Sequence, residues 1–214
     1  MTNTEVRQSI HQTRVIFTGI QSYQTVYQSM REFTARRTST TEDQIWVLQH
    51  YPVYTIGSNN SNAQRPQSSI PFIETDRGGQ ITYHAPGQLI IYLLLDLTRR
   101  KLGIRHLVEN LEKAIISLLD QYAIKAITRS GFPGVYVEHA KIASVGLRVR
   151  NGCCYHGISL NVNMDLSPFE DIVICGEKNL KATQVSNLKG PDTCEQLGLP
   201  LIHLIDLRLN LDLL

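Results

Sequence analysis

Residues 140–163 read AKIASVGLRVRNGCCYHGISLNVN, and the pair Asn151-Gly152 at their centre decides how the chain is read. Asn followed by Gly supplies the two positive φ angles of a two-residue type I′ turn, so the stretch predicts a β-hairpin with strands 140–150 and 153–163. Without a bulge, partners sum to 303, and one face carries Lys141, Ala143, Val145, Leu147 and Val149 opposite Val162, Leu160, Ile158, His156 and Cys154. The other face pairs Gly146 with Gly157 and Ser144 with Ser159. Side chains this small leave a shallow trough, in which either a neighbouring backbone or a substrate chain can lie. On the second reading, a larger side chain at Gly157 narrows the trough. Lys141 ends an apolar stripe, where lysine is rare unless it is paired or functional, although a snorkelling side chain at the strand edge fits the pattern equally well. The register puts Lys141 on the face away from the trough; a bulge near residues 142–143, or a strand end there, would bring the two together.

Working outward, residues 15–20 predict a short strand and residues 23–37 a helix, with Tyr23, Val26, Tyr27, Met30 and Phe33 at helical spacing. A strand follows at 44–50. Residues 57–71 are polar and aperiodic and predict a mobile loop within one domain. The clearest helix is 104–122, with Ile104, Leu107, Val108, Leu111, Ile115, Leu118, Leu119 and Tyr122 on one face and Arg105, Glu109, Glu112 and Lys113 on the other. Pro200 precedes a Leu-rich tail that is assigned to helix.

Composition narrows the function classes. A chain of 214 residues suits one domain, 1–214, of which 1–13 reads as flexible. A formal charge of +2, with no basic block, speaks against nucleic acid as a partner. The longest apolar run, 89–95, is far short of the roughly 20 residues of a membrane span, and residues 1–13 lack the apolar stretch of a secretory signal. The cysteines at 153, 154, 175 and 194 show no C-x-x-C spacing and read as reduced thiols in a cytoplasm. Neither these nor the histidines have a zinc spacing, and no dinucleotide or Walker-type loop occurs, so no metal and no cofactor is expected.

Three stretches place glycine and polar residues where a plain strand would place apolar ones. Arg77-Gly78-Gly79-Gln80-Ile81-Thr82-Tyr83-His84-Ala85-Pro86-Gly87-Gln88 could wrap backbone amides around an anion or a carbonyl oxygen, though a Gly-rich turn is more often only a turn. Residues 134–147 carry Lys141. In Ile172-Val173-Ile174-Cys175-Gly176 a cysteine closes an apolar strand, either as a small buried hydrophobe or exposed to substrate.

The runs RGGQITYHAPGQ (77–88), AKIASVGLRVR (140–150), YHGISLNVNMDL (155–166) and CGEKNLKATQV (175–185) resemble, in order and spacing, the octanoyltransferases of lipoate biosynthesis. The resemblance implies an α+β fold, a single domain with a mixed β-sheet flanked by helices, like the catalytic domain of biotin and lipoate protein ligases. It implies Cys175 as the acyl-accepting nucleophile and Lys141 as its assistant. Arg77 to His84, with Ser144, Val145, Gly146, Gly157, Ile158 and Ser159, would contact the acyl group. The implied donor is octanoyl-loaded acyl carrier protein, and the implied acceptors are the lipoyl domains of oxoacid dehydrogenases and the glycine-cleavage carrier protein. The chain departs from the family at Ala85, usually glycine, and at Ala182, usually valine. Two other functions compete: an ATP-dependent lipoate or biotin ligase, whose loop reads S/T-G-G-G where this chain has Arg77-Gly78-Gly79-Gln80, and a non-catalytic acyl-binding protein.

Overall fold

Asn151 and Gly152 have φ of 50° and 76°, and the chain reverses between strands 140–150 and 153–161 with Ala143 through Arg150 paired to Leu160 through Cys153, all summing to 303. The hairpin is the centre of a larger sheet. The computed structural model describes residues 12–59, 67–177 and 179–214, with only the backbone at Cys175. Within these residues the strands are β1 (Thr13–Gln21), β2 (Asp43–His50), β3 (Val53–Ile56), β4 (Phe72–Glu74), β5 (Ile81–His84), β6 (Gln88–Asp96), β7 (Ile127–Arg129), β8 (Phe132–Val137), β9 (Ala140–Arg150), β10 (Cys153–Asn161) and β11 (Lys181–Ala182). The helices are α1 (Tyr23–Ala35), α2 (Ile104–Asp120) and α3 (Cys194–Leu209).

The main sheet runs β1-β2-β6-β10-β9-β8-β7, with β11 added to the start of β9. It is mixed: β1 is parallel to β2 and β11 to β9, and the other pairings are antiparallel. Central strands β6 and β10 are buried almost throughout, and β6 is apolar on both faces because both faces are covered. Helices α2 and α3 bury Leu107, Leu111, Ile115, Leu197, Leu201 and Ile205 against one face. Helix α1 buries Tyr23, Val26, Tyr27 and Met30 against the other. A small second sheet, β4-β3-β5, carries the Gly-rich loop on a third apolar cluster around Tyr54, Tyr83 and Phe169.

Several expectations change. Thr13, read as flexible, is fully buried in β1, where its hydroxyl donates to Leu211 O at 2.7 Å; residues 1–11 lie outside the described residues. So do residues 60–66 of the expected mobile loop 57–71. The last helix starts at Cys194 under a Thr193–Gln196 capping box and holds Pro200 in its interior, its buried Leu and Ile residues outweighing the missing amide. Residues 172–176 form no strand. Ile172 and Ile174 sink into the third cluster while Val173 is exposed, so side chains rather than a ladder anchor this segment, and Cys175 lies in the short 3-10 turn Ile174–Gly176. His156 has φ of 62°, which breaks the alternation and turns its ring onto the α1 face beside Tyr155 and Tyr27, away from the expected stripe of Val145 and Leu147. Glu112, read as outward-facing, is buried.

Two buried polar clusters hold the layers together. Asp43, fully buried at the start of β2, accepts from Arg37, from Arg99 at 2.7 Å and from Arg100 at 2.5 Å, joining the end of α1 to the turn after β6. Beneath α1, His50 is buried between Gln21 O at 3.1 Å and Tyr92 Oη at 2.7 Å, and burial pushes it down to about 4.

Asp43→Asn is predicted to destabilise the fold by about 3–5 kcal/mol in denaturant titration, because three guanidinium groups lose the one carboxylate they surround; a loss under about 1 kcal/mol would show the cluster to be peripheral. His50 gives a pH signature. The unfolded chain takes up a proton near 6.5, whereas the folded chain does so only near 4, so this contribution is intact above about pH 6.5 and is lost as pH falls toward 4. The loss is at most about 3 kcal/mol. Melting temperature should fall over that window, and His50→Gln should remove part of the fall; identical slopes in the two proteins would contradict the assignment.

Candidate active site

Strand β9 contains one residue more than β8 between Lys141 and Ala143. Val135 pairs with Ala143 but Tyr136 pairs with Lys141, so Ile142 is bulged, and Ile142 and Ala143 both enter the core. Lys141 is thereby rotated to the opposite face, the one carrying Ser144 and Gly146. Its expected partner Val162 is replaced by Ala182 of β11, because β10 has left the sheet at that level. The conflict between a core-facing lysine and the trough is resolved by this bulge.

The trough is a row across four strands: Ile90 of β6, Ser159 of β10, Ser144 of β9 and Gly134 of β8 are successive cross-strand neighbours. Lys141 closes its end. The Lys141 ammonium donates to Pro133 O at 2.8 Å and lies 5.3 Å from the centre of the Tyr136 ring. A Cβ at position 134 would stand 2.6 Å from Lys141 Cε and 2.8 Å from Nζ, so only glycine lets the lysine lie across β8. A cavity of about 460 Å³ opens over this row, within the usual size of small-molecule sites.

Of the residues singled out by sequence, Lys141, Arg77, Gly78, Gly79, Gln80, Ile81, Thr82, His84, Ser144, Val145, Gly146, Gly157, Ile158 and Ser159 all line the cavity. Tyr83 does not; it packs edge-on against Phe169 at 5.6 Å in the third cluster. The turn that holds Cys175 meets the cavity through Ile174, and Gly176, at φ of 78°, lies so close to the Gln80 amide that a Cβ there would be 3.2 Å from its nitrogen. The sequence reading passed over Tyr92, Val108, Phe132, Pro133 and Ile174 in the cavity wall, and Glu112 behind it. Gly134 was the available signal, since glycine inside a strand marks a close approach.

The trough is also partly roofed. Gly78 N donates to Leu147 O at 2.9 Å, and a Cβ on Gly146 would meet Gly78 O at 3.1 Å, so at Gly146 a neighbouring backbone packs on the small residues. Gly157 is a correction. A Cβ there would stand 2.1 Å from Ile91 O, because the positive φ at His156 turns the following backbone onto β6. A larger residue at 157 disrupts the sheet and does not narrow the trough.

Below the Gly-rich loop Arg77, Thr55, His84 and Gln88 form one hydrogen-bonded chain. Arg77 donates to the Thr55 hydroxyl through Nε at 3.1 Å and Nη2 at 2.8 Å, and to Thr55 O at 2.7 Å. With both hydroxyl lone pairs occupied, Thr55 donates its proton to His84 Nε2 at 3.2 Å, while His84 Nδ1 donates to Gln88 Oε1 at 2.7 Å. Burial, then the neighbouring His50 and Arg77, hold His84 well below its usual range, so it is neutral. From Gln88 the chain runs through Asn161 Oδ1 at 2.8 Å and on to Thr183 O at 2.9 Å; Thr183 N donates to Lys141 O at 2.9 Å. His84 is thus tied to the segment that bears Lys141. Asp76 opposes burial with hydrogen bonds from His156 and Tyr155 and lies well below the usual carboxylate range. Ala85 does not adopt positive φ, so the residue that replaces the usual glycine there introduces no strain.

Among the described residues, no group of three or more His, Cys, Asp or Glu side chains could hold a metal, and no helix is long and apolar enough to cross a membrane. Cys153, Cys154 and Cys194 are buried free thiols, and burial raises each, to about 12 for Cys154 and Cys194.

The chain is similar to a protein of Nitrosospira multiformis named octanoyltransferase, 49% identical over 201 residues that cover 92% of each chain. It is 54% identical over 174 residues to an octanoyltransferase of Legionella pneumophila, covering 79% of this chain and 85% of that one. Among solved structures, lipoate-protein ligase A bound with ATP superposes with a TM-score of 0.75 at 13% identity, over 93% of this chain and 86% of the other. The biotin protein ligase of Aquifex aeolicus with biotin and ATP gives 0.59 at 16% identity, over 92% and 70%. These two establish the fold, a mixed sheet with three helices. The family described as lipoyl protein ligase A/B catalytic domain matches residues 23–197. With that span and relatives half identical over most of their length, the chain belongs to the lipoyl protein ligase A/B catalytic-domain family.

Proposed function

We propose that the protein is an octanoyltransferase of protein lipoylation, working in the cytoplasm with Cys175 and Lys141 as its reacting pair. The observation that carries this reading is the meeting of three things at one cavity of about 460 Å³: the turn that holds Cys175, the buried ammonium of Lys141, and a Ser/Gly trough. The donor is octanoyl-acyl carrier protein. The acceptors are the lipoyl domains of oxoacid dehydrogenases and the glycine-cleavage carrier protein.

In the first half-reaction the Cys175 thiolate attacks the thioester carbonyl, and the carrier's thiolate leaves with the proton released from Cys175. One thioester replaces another, so no ATP is needed. The Lys141 ammonium favours the thiolate electrostatically. In the second, the acceptor lysine's amine attacks the acyl-Cys175 carbonyl, an amide forms, the thiolate departs, and Lys141 in its neutral form takes the amine's proton. A ligase working through an acyl-adenylate has no duty for Cys175.

Incubation with octanoyl-acyl carrier protein and no ATP should add one acyl mass, released by hydroxylamine and mapped to Cys175 by mass spectrometry. Cys175→Ala should abolish it; an absolute need for ATP, or full transfer by the variant, would replace this reading with the ligase. Lys141→Ala should slow both half-reactions by about 10²–10⁴-fold. Lys141→Arg should restore thiol alkylation better than transfer, because guanidinium keeps its charge yet cannot accept a proton.

Chain-length choice is predicted to respond at Ser159, which lies in the trough itself. Ser159→Val should favour shorter acyl donors and leave alkylation of Cys175 nearly unchanged. Equal losses for short and long donors would mean that the tail lies elsewhere.

A further inference from the structure

Glu112 sits in the third turn of α2, on the side that packs against β8. Its Oε1 accepts from Gly134 N at 2.7 Å. The same peptide unit, between Pro133 and Gly134, offers its carbonyl oxygen to Lys141 Nζ at 2.8 Å. One amide group is thus gripped at both ends, by a carboxylate on its N–H and by an ammonium on its C=O. Each hydrogen bond polarises the amide in the direction that strengthens the other. Both charged residues are buried, Glu112 at 8% and Lys141 at 4% exposure, so their attraction is weakly screened.

We propose that Glu112 is a positioning residue for Lys141: through the Pro133–Gly134 peptide it fixes the ammonium at the head of the trough and sustains its charge while Cys175 is acylated. The proposal rests on the reading of Lys141 and Cys175 as the reacting pair. It supplies what that reading leaves out, namely how a buried lysine is kept both in place and charged in a wall of apolar and small residues.

Other charges face the lysine from the elements around it. Tyr136 of β8 presents its ring, and the Arg129 guanidinium of β7 stands 4.6 Å from the centre of that ring. Arg129 is bonded to Glu177 at 3.1 Å, which moderates its repulsion of Lys141. Helix α2 adds Glu109, one turn before Glu112. Lys181 of β11, Glu138 and His139 in the turn before β9 are exposed. Of the acidic groups, Glu112 alone shares a peptide with the lysine among the described hydrogen bonds. Burial raises Glu112 above the ordinary carboxylate range, with the Gly134 amide and the Lys141 charge opposing it.

The test separates charge from scaffolding. Glu112→Gln keeps an oxygen to accept from Gly134 but removes the charge; Glu112→Asp keeps the charge on a shorter arm. Two measurements are made on the full chain: the rate of acyl-Cys175 formation from octanoyl-acyl carrier protein across pH, by intact-protein mass, and the ¹³C signal of the Lys141 ε-carbon against pH, identified by its loss in Lys141→Arg. In Glu112→Gln, acylation should slow about tenfold near the wild-type optimum, with the alkaline limb and the ε-carbon transition both moved about one pH unit lower. Glu112→Asp should lie closer to wild type in both midpoints, even where its rate is low. Superimposable profiles for Glu112→Gln and wild type, or a series in which Gln matches wild type and Asp does not, would overturn the proposal. Should Glu112→Gln fail to fold, the Asp variant decides alone: midpoints at the wild-type pH support the proposal, and midpoints displaced by a full pH unit overturn it. If wild type itself gains no acyl mass at Cys175, the proposed function fails, while the ε-carbon comparison still reads the Glu112–Lys141 coupling.

Discussion

Between Lys141 and Ala143, strand β9 carries a residue that β8 does not match, and the whole arrangement of the cavity depends on that bulge. A period-2 strand would hold Lys141 in the main core with Ala143 and Val145. There a charge would be set among the apolar side chains of the main core. Rotated across the sheet, the same side chain finds the Pro133 carbonyl and the Tyr136 ring. The bulge in turn needs Gly134, since any Cβ on β8 at that point would occupy the place of the lysine's last carbon. Bulge, glycine and lysine therefore form one device, and a change at any of the three alters the other two.

The two polar regions around the cavity are built from different groups. Beneath the Gly-rich loop, histidines are kept neutral. Thr55 has no lone pair left for a second His84 proton once Arg77 has filled both, and His50 has a hydroxyl partner on its far nitrogen. At the other end, Lys141 donates to the Pro133 carbonyl, and the N–H of the same peptide donates to the Glu112 carboxylate.

How much of this was legible in sequence follows from what each feature depends on. The hairpin was legible because Asn151-Gly152 fixes φ locally, and the register then followed for eight pairs. The bulge was legible only as a contradiction, a lysine on the wrong face; its position depends on β8, whose sequence does not announce the pairing. His156 was misplaced because a single positive φ in a buried strand leaves no compositional trace when the residue is not glycine or asparagine. Glu112 was assigned outward by residue type, yet its position on the helix was compatible with packing; the partner that draws it in, the Gly134 amide, is backbone and is invisible to any reading of side chains. Cys175 was singled out by resemblance, and its local structure was misread because Ile172 and Ile174 suit a strand and a side-chain-anchored turn equally well.

The first described strand is sealed by the last described residues. Thr13 donates its hydroxyl proton to Leu211 O and its amide to Asp212 O, and Leu214 N donates back to Thr13 O. Arg100, one of the three arginines on Asp43, also reaches Leu211 O. These contacts join positions nearly the whole chain apart, so they carry a large loop-closure entropy and belong among the late events of folding. During synthesis on the ribosome, the edge of the sheet at β1 stays without this seal until residues 211–214 have emerged. The half of the sheet that bears Lys141 has no such delay, because β8, β9 and β10 are consecutive in the chain and can pair as soon as they are made.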